Sequence, residues 1–133
     1  MKEIQNRADV FTLVSTFYGA IRKDVLLGPI FNAHLSEEQW PAHMEKLTDF
    51  WVTALFGVAS FKGNPVRAHR NVDKNLNHAI DQVHFGTWLQ LWFNTIDGLY
   101  EGELAQRAKD AARKMATNQY LAIWKYRPQQ EIE

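Results

Sequence analysis

Five histidines and no cysteine decide what chemistry this chain can attempt. Without thiols, disulfides, thiolate metal sites and cysteine nucleophiles are excluded, so any metal must be held by histidine, carboxylate or a cofactor. The most conspicuous histidine is His69, inside the stretch NPVRAHRNVD from Asn64 to Asp73. Asn64 is a good N-cap and Pro65 suits the first helical position, so a short helix should open there. His69 follows Val66 by three residues and shares its face, whereas Arg67, Arg70 and Asp73 can turn to water. An imidazole on the inner face of so short a helix needs a partner. Two more polar groups fall on apolar faces: Tyr18, and His43 one turn before Leu47.

The elements that must position these groups are helical. Val10, Leu13, Val14, Phe17, Tyr18, Ile21 and Val25 keep a three-four spacing, which predicts a first helix that Gly28-Pro29 stops. SEEQ at Ser36 to Gln39 reads as a capping box, yet Pro41 sits too deep for a helix begun at Ser36. A short turn followed by a helix opening at Pro41 is expected. It carries His43, Leu47, Phe50, Trp51, Ala54 and Leu55 on one side and ends by Gly57. Residues 70 to 81 are polar and weakly periodic, which predicts a loop. A third stripe runs through Val83, Trp88, Leu91, Trp92, Ile96, Leu99 and Tyr100. Beyond Gly102, a fourth carries Leu104, Ala108, Ala111, Met115, Ile123 and Trp124 until Arg127-Pro128 closes it. No stretch alternates with period two for long enough to argue a strand. The expected class is all-α with four main helices in one domain over residues 1–133.

Composition narrows the partners. Fifteen basic residues balance fifteen acidic ones, and neither sign forms a block, so nucleic acid and acidic membranes are poor guesses. The apolar stretch from Phe50 to Phe61 is too short to span a bilayer, and the polar MKEIQNRAD start resembles no signal peptide. A cytoplasmic protein is expected. There is no Gly-rich phosphate loop, dinucleotide fingerprint or HExxH, and a di-iron carboxylate bundle finds only the single DQVH of Asp81 to His84. No serine sits on a nucleophile elbow. The histidines and aromatics remain.

A flat cofactor wedged between the second helix and the His69 helix would meet Tyr18, His43 and His69 together. Haem needs a strong proximal ligand, an apolar slot and distal hydrogen-bond donors. FYGAIRKDVLLGPIFN from Phe17 to Asn32, WPAHMEKLTDFW from Trp40 to Trp51, GNPVRAHR from Gly63 to Arg70 and WLQLW from Trp88 to Trp92 carry the comparison further. Together, and in the right order over roughly Ile4 to Arg127, they resemble the truncated haemoglobins, specifically group III. The segment between His69 and Trp88 departs from the pattern in being longer and more polar, with further histidines at His78 and His84.

The resemblance implies a two-over-two helical sandwich with a short proximal helix and loop, holding haem b (iron protoporphyrin IX). It makes His69 the proximal iron ligand. Tyr18, Trp88 and His43 become the distal groups that meet an iron-bound ligand. Phe31, Leu47, Phe50 and Trp51 become apolar lining of the haem slot, with Lys46, Arg67 and Arg70 as propionate partners. The implied ligands are dioxygen, nitric oxide, carbon monoxide or peroxide, at iron that is five-coordinate or assisted by His43. Nitric oxide dioxygenation and peroxidase-like chemistry stay open beside plain binding. Because the chain shows no flavin or nicotinamide module, turnover at ferrous haem would require a separate reductase. The alternative is a cofactor-free four-helix interaction module whose aromatics merely pack a core.

Overall fold

The computed structural model describes residues 1–57 and 82–125, in which five helices follow one another. The first, α1 (Arg7–Lys23), begins where the Asn6 side chain accepts the Asp9 backbone N–H at 3.0 Å. Its apolar stripe is buried from Val10 through Ile21, as the spacing predicts. The end differs from expectation. Asp24 leaves the helix in an extended conformation, and its carboxylate accepts the backbone N–H groups of Leu26 and Leu27 at 2.9 Å each. That local competition stops the helix before Val25, which is therefore 94% exposed rather than part of the buried face.

Gly28-Pro29 does not merely punctuate. It opens α2 (Gly28–His34), with the proline in the first turn, where a missing N–H costs nothing. Gly28 sits so close to the end of α1 that a Cβ there would lie 2.6 Å from the Arg22 carbonyl oxygen. The SEEQ segment makes the expected turn: Ser36 N–H donates to Gln39 Oε1 at 2.8 Å, and Gln39 N–H to the Ser36 carbonyl at 3.0 Å. Then α3 (Trp40–Phe56) starts with Pro41 in its first turn and ends on Gly57 at φ +70°. Ala54 is exposed, contrary to the expected face. Thr48 is buried instead, its hydroxyl donating to the Met44 carbonyl at 2.7 Å.

The remaining helices are α4 (Gln82–Leu99) and α5 (Glu103–Lys125), separated at Gly102, whose φ of +98° only glycine adopts readily. Trp92 and Ile96 are buried as predicted, but Val83 at the start of α4 is 63% exposed. Helix α1 packs on α2, α3 and α4, while α5 packs on α3 and α4, so the four long helices close around one apolar core. This is the all-α, globin-like arrangement expected, with α2 added to the four main helices. The expected helix at Asn64, the 70–81 loop and the Arg127-Pro128 terminus lie outside the described residues, as do His69, Arg67 and Arg70.

The N-terminal segment is tied to the α4–α5 corner. Glu101 N–H donates to the Lys2 carbonyl at 3.0 Å, and the Tyr100 hydroxyl donates to the Asp9 carbonyl, also at 3.0 Å. Lys2 Nζ donates to the Asp9 carboxylate at 2.6 Å. No helix among the described residues is long and apolar enough to cross a membrane.

Candidate functional site

Tyr18 is the hub. It lies on the buried stripe of α1 and is only 7% exposed. Its ring meets Phe31 of α2 at 5.9 Å between centroids, and Trp40 and His43 of α3 at 6.0 and 5.9 Å. The contacts to Phe31 and His43 are edge-on, the geometry the ring quadrupole favours. Trp40 and His43 lie three residues apart on one face of α3 and touch each other at 5.6 Å. From the opposite side, α4 contributes Trp88, which packs edge-on against Phe17 at 5.4 Å. Its indole N–H hydrogen-bonds the Tyr18 oxygen.

This pairing fixes proton roles. Indole nitrogen can only donate, so Tyr18 accepts from Trp88 and keeps its own O–H as a donor. Burial raises the Tyr18 pKa to about 12, the Trp88 hydrogen bond offsetting only part of that. At neutral pH the phenol is therefore a fixed hydrogen-bond donor and never a base. Trp40 adds a second donor. It is 5% exposed, and its Nε1 is buried with no hydrogen-bond partner among the described residues. Arg22 lies over its outer face at 4.6 Å, held by Asn32 Oδ1 at 3.1 Å and by the Glu37 carboxylate.

A second aromatic layer stands behind Trp88. Trp92, four residues on, lies 6.1 Å from it with the rings 12° from parallel, and Trp51 of α3 stacks on Trp92 at 4.6 Å. Trp92 Nε1 donates to the Ala108 carbonyl at 3.1 Å. Phe50 meets Trp51 edge-on at 5.4 Å. Phe31, Leu47, Phe50 and Trp88 are each half-buried against the core, forming an apolar and aromatic rim.

The structure thus gathers Tyr18, Phe31, His43 and Trp88 around one point. Leu47 and Phe50 sit on the same helix as His43, Trp51 lies one layer deeper, and Lys46 is exposed on α3. Among the described residues no group of three or more His, Asp or Glu side chains could hold a bare metal ion. The sequence reading missed two residues: Trp40, quoted within a motif but given no role, and Trp92, which joins Trp88 to Trp51. Their signals were the spacing of Trp40 to His43 and of Trp88 to Trp92, three and four residues respectively.

No family model matches the chain. A curated relative, the group 3 truncated hemoglobin ctb of Campylobacter jejuni, is 29% identical over 126 residues, covering 93% of this chain and 95% of the relative. The crystal structure of a group III truncated hemoglobin from Campylobacter jejuni superposes with a TM-score of 0.82 at 30% identity, over 97% of this chain and all of that one. The chain belongs to the group III truncated haemoglobins. A truncated haemoglobin needs a slot for a flat macrocycle, and the residues present fit one. The half-buried residues are apolar and aromatic, and the Tyr18 hydroxyl and the buried Trp40 indole N–H are donors, as a ligand gaining negative charge requires.

Proposed function

We propose that this chain is a haem protein that binds haem b beside α3 and α4, with His69 as the proximal iron ligand and dioxygen as a ligand on the face lined by Tyr18, Trp88 and His43. When bound, haem would supply the iron centre at which diatomic ligands bind and electrons are exchanged. The observation that carries the reading is the Tyr18–Trp88 pair: a buried phenol, held protonated, receives one indole hydrogen bond and keeps its own O–H as a donor. Such a donor stabilises a ligand atom that takes up negative charge, and does so strongly in a dry pocket. It thereby favours dioxygen over carbon monoxide and slows dioxygen release. His43, whose ring meets those of Tyr18 and Trp40, would share that role.

Phe31, Leu47, Phe50 and Trp51 are assigned to the apolar wall, and Lys46, Arg67 and Arg70 to the propionates. Dioxygen binding, nitric oxide dioxygenation and peroxide reduction all draw on the same donors, and the last two would take electrons from a separate reductase in the cytoplasm. The visible spectrum of the haem-supplied protein, before and after dithionite and carbon monoxide, tests the reading beside His69→Ala. The expected result is a Soret band that shifts at each addition and is weakened or altered in the variant. A flat spectrum from folded protein would replace this reading with a cofactor-free interaction module.

A further inference from the structure

Of the three stacked tryptophans, Trp92 has no part in ligand binding as described above, and the stacking of Trp88 and Trp51 on it is not used there either. Trp88 touches the site through Tyr18, whereas Trp92 and Trp51 are almost wholly withdrawn from solvent. Their contacts nevertheless form one continuous path: Trp88 to Trp92 at 6.1 Å and 12°, then Trp92 to Trp51 at 4.6 Å and 25°. Core packing alone tolerates any mixture of edge-on and stacked rings. Near-parallel indoles do something more, because overlapping π-systems share a missing electron, so the pair is easier to oxidise than one ring. The environment of Trp92 supports the same outcome. Its N–H is held by a peptide carbonyl, which stabilises positive charge on the indole yet is too weak a base to remove the proton.

We propose that the Trp51–Trp92 stack is an electron donor to the haem site, drawn on through Trp88 when that site is oxidised. The inference rests on the haem-binding reading. With hydrogen peroxide as oxidant, the O–O bond breaks and, over the whole cycle, two waters form, consuming two electrons and two protons, the protons coming from solvent. One electron comes from the haem iron and the other from the indole stack, which is left as a radical cation shared between Trp92 and Trp51. A small one-electron reductant such as ascorbate then delivers two electrons in turn, refilling the stack and, through it, the iron.

The test uses haem-loaded ferric protein mixed with one equivalent of hydrogen peroxide, freeze-quenched, and examined by electron paramagnetic resonance with and without ring-deuterated tryptophan. The expected signal is an organic radical that narrows on tryptophan deuteration, and whose yield falls at least fivefold in Trp92→Phe. Trp51→Phe, which leaves Trp92 in place, should keep the radical but change its line shape, since the spin is no longer shared. A radical confined to tyrosine, or an indole signal indifferent to both substitutions, would overturn the inference. So would peroxide consumption without any protein radical. Failure to take up haem would overturn the haem reading and this inference together, and the Soret band separates that case from the others.

Discussion

Asp9 and Tyr18 are both buried polar residues on α1, about 14 Å apart along its axis, and the chain treats them in opposite ways. At Asp9 every need is met from within. Its carboxylate accepts from Lys2 Nζ and from the Gln5 N–H at 2.9 Å, its own N–H is capped by Asn6, and its carbonyl receives the Tyr100 hydroxyl. Lys2 and the backbone N–H groups hold the Asp9 carboxyl below the usual carboxylate range, and Asp9 in turn raises the Lys2 amine. Around Tyr18 the polar groups are mostly donors. Trp88 and Trp40 contribute N–H groups, and Trp40 finds no acceptor among the described residues. A satisfied cluster closes a corner, whereas a buried donor without a described partner is a cost that an incoming acceptor would relieve.

Substitution at Asp9 should break the first half of that contrast most visibly. Asp9→Ala removes the buried carboxylate that accepts from the Gln5 N–H and the Lys2 amine, and the melting temperature should fall by roughly 8 °C. Because its native pKa is depressed, the Asp9 contribution is present above the ordinary carboxylate pKa and is lost as pH falls through the native value. The acid limb of a pH–stability curve should therefore flatten in the variant. An unchanged limb would show the corner to be ornamental.

The second effect is alkaline. Tyr18 binds its proton more tightly folded than unfolded, so its contribution is complete below about pH 10 and disappears as pH rises through about 12. The loss amounts to about 2–3 kcal/mol across that window. Urea titrations of the wild type and Tyr18→Phe at several alkaline pH values should show a shallower decline in the variant. Equal slopes would place the phenol in water.

The smallest effect sharpens the second half of that contrast. Trp40→Phe removes an N–H that has no described partner, whereas Trp92→Phe removes a buried hydrogen bond to the Ala108 carbonyl. The first should cost about 1 kcal/mol or less in the haem-free protein, and the second at least twice that. Chemical unfolding of both variants compares them directly. A reversed order would mean that Trp40 already has an acceptor.

Much of this architecture was legible in the residues. The three-four stripes of α1 and α4 located the core, and Gly57 and Gly102 marked real breaks with positive φ, whereas the α5 stripe ran a residue off: of its described residues only Ala108 is fully buried, beside Ala105, Ala112 and Ala116. The failures are local. Val25 continued the α1 stripe on paper, but the Asp24 side chain outbid the next helical hydrogen bond. Val83 continued the α4 stripe but lies in its first turn, where it is largely exposed. Tyr18 and His43 could be nominated because each sits on an apolar face. That Tyr18, Trp40 and His43 meet, and that Trp92 bridges Trp88 to Trp51, depends on how α1, α3 and α4 cross. Periodicity within one helix carries no such information.

The missing side chain of Gly28 sets where the pocket wall stands. Only glycine lets α2 lie this close to the end of α1, because a Cβ at position 28 would sit 2.6 Å from the Arg22 carbonyl oxygen. A larger residue there would push α2, and the Phe31 ring with it, away from α1 and Tyr18. Glycine acts here as a spacer, fixing how near the aromatic wall stands to the phenol.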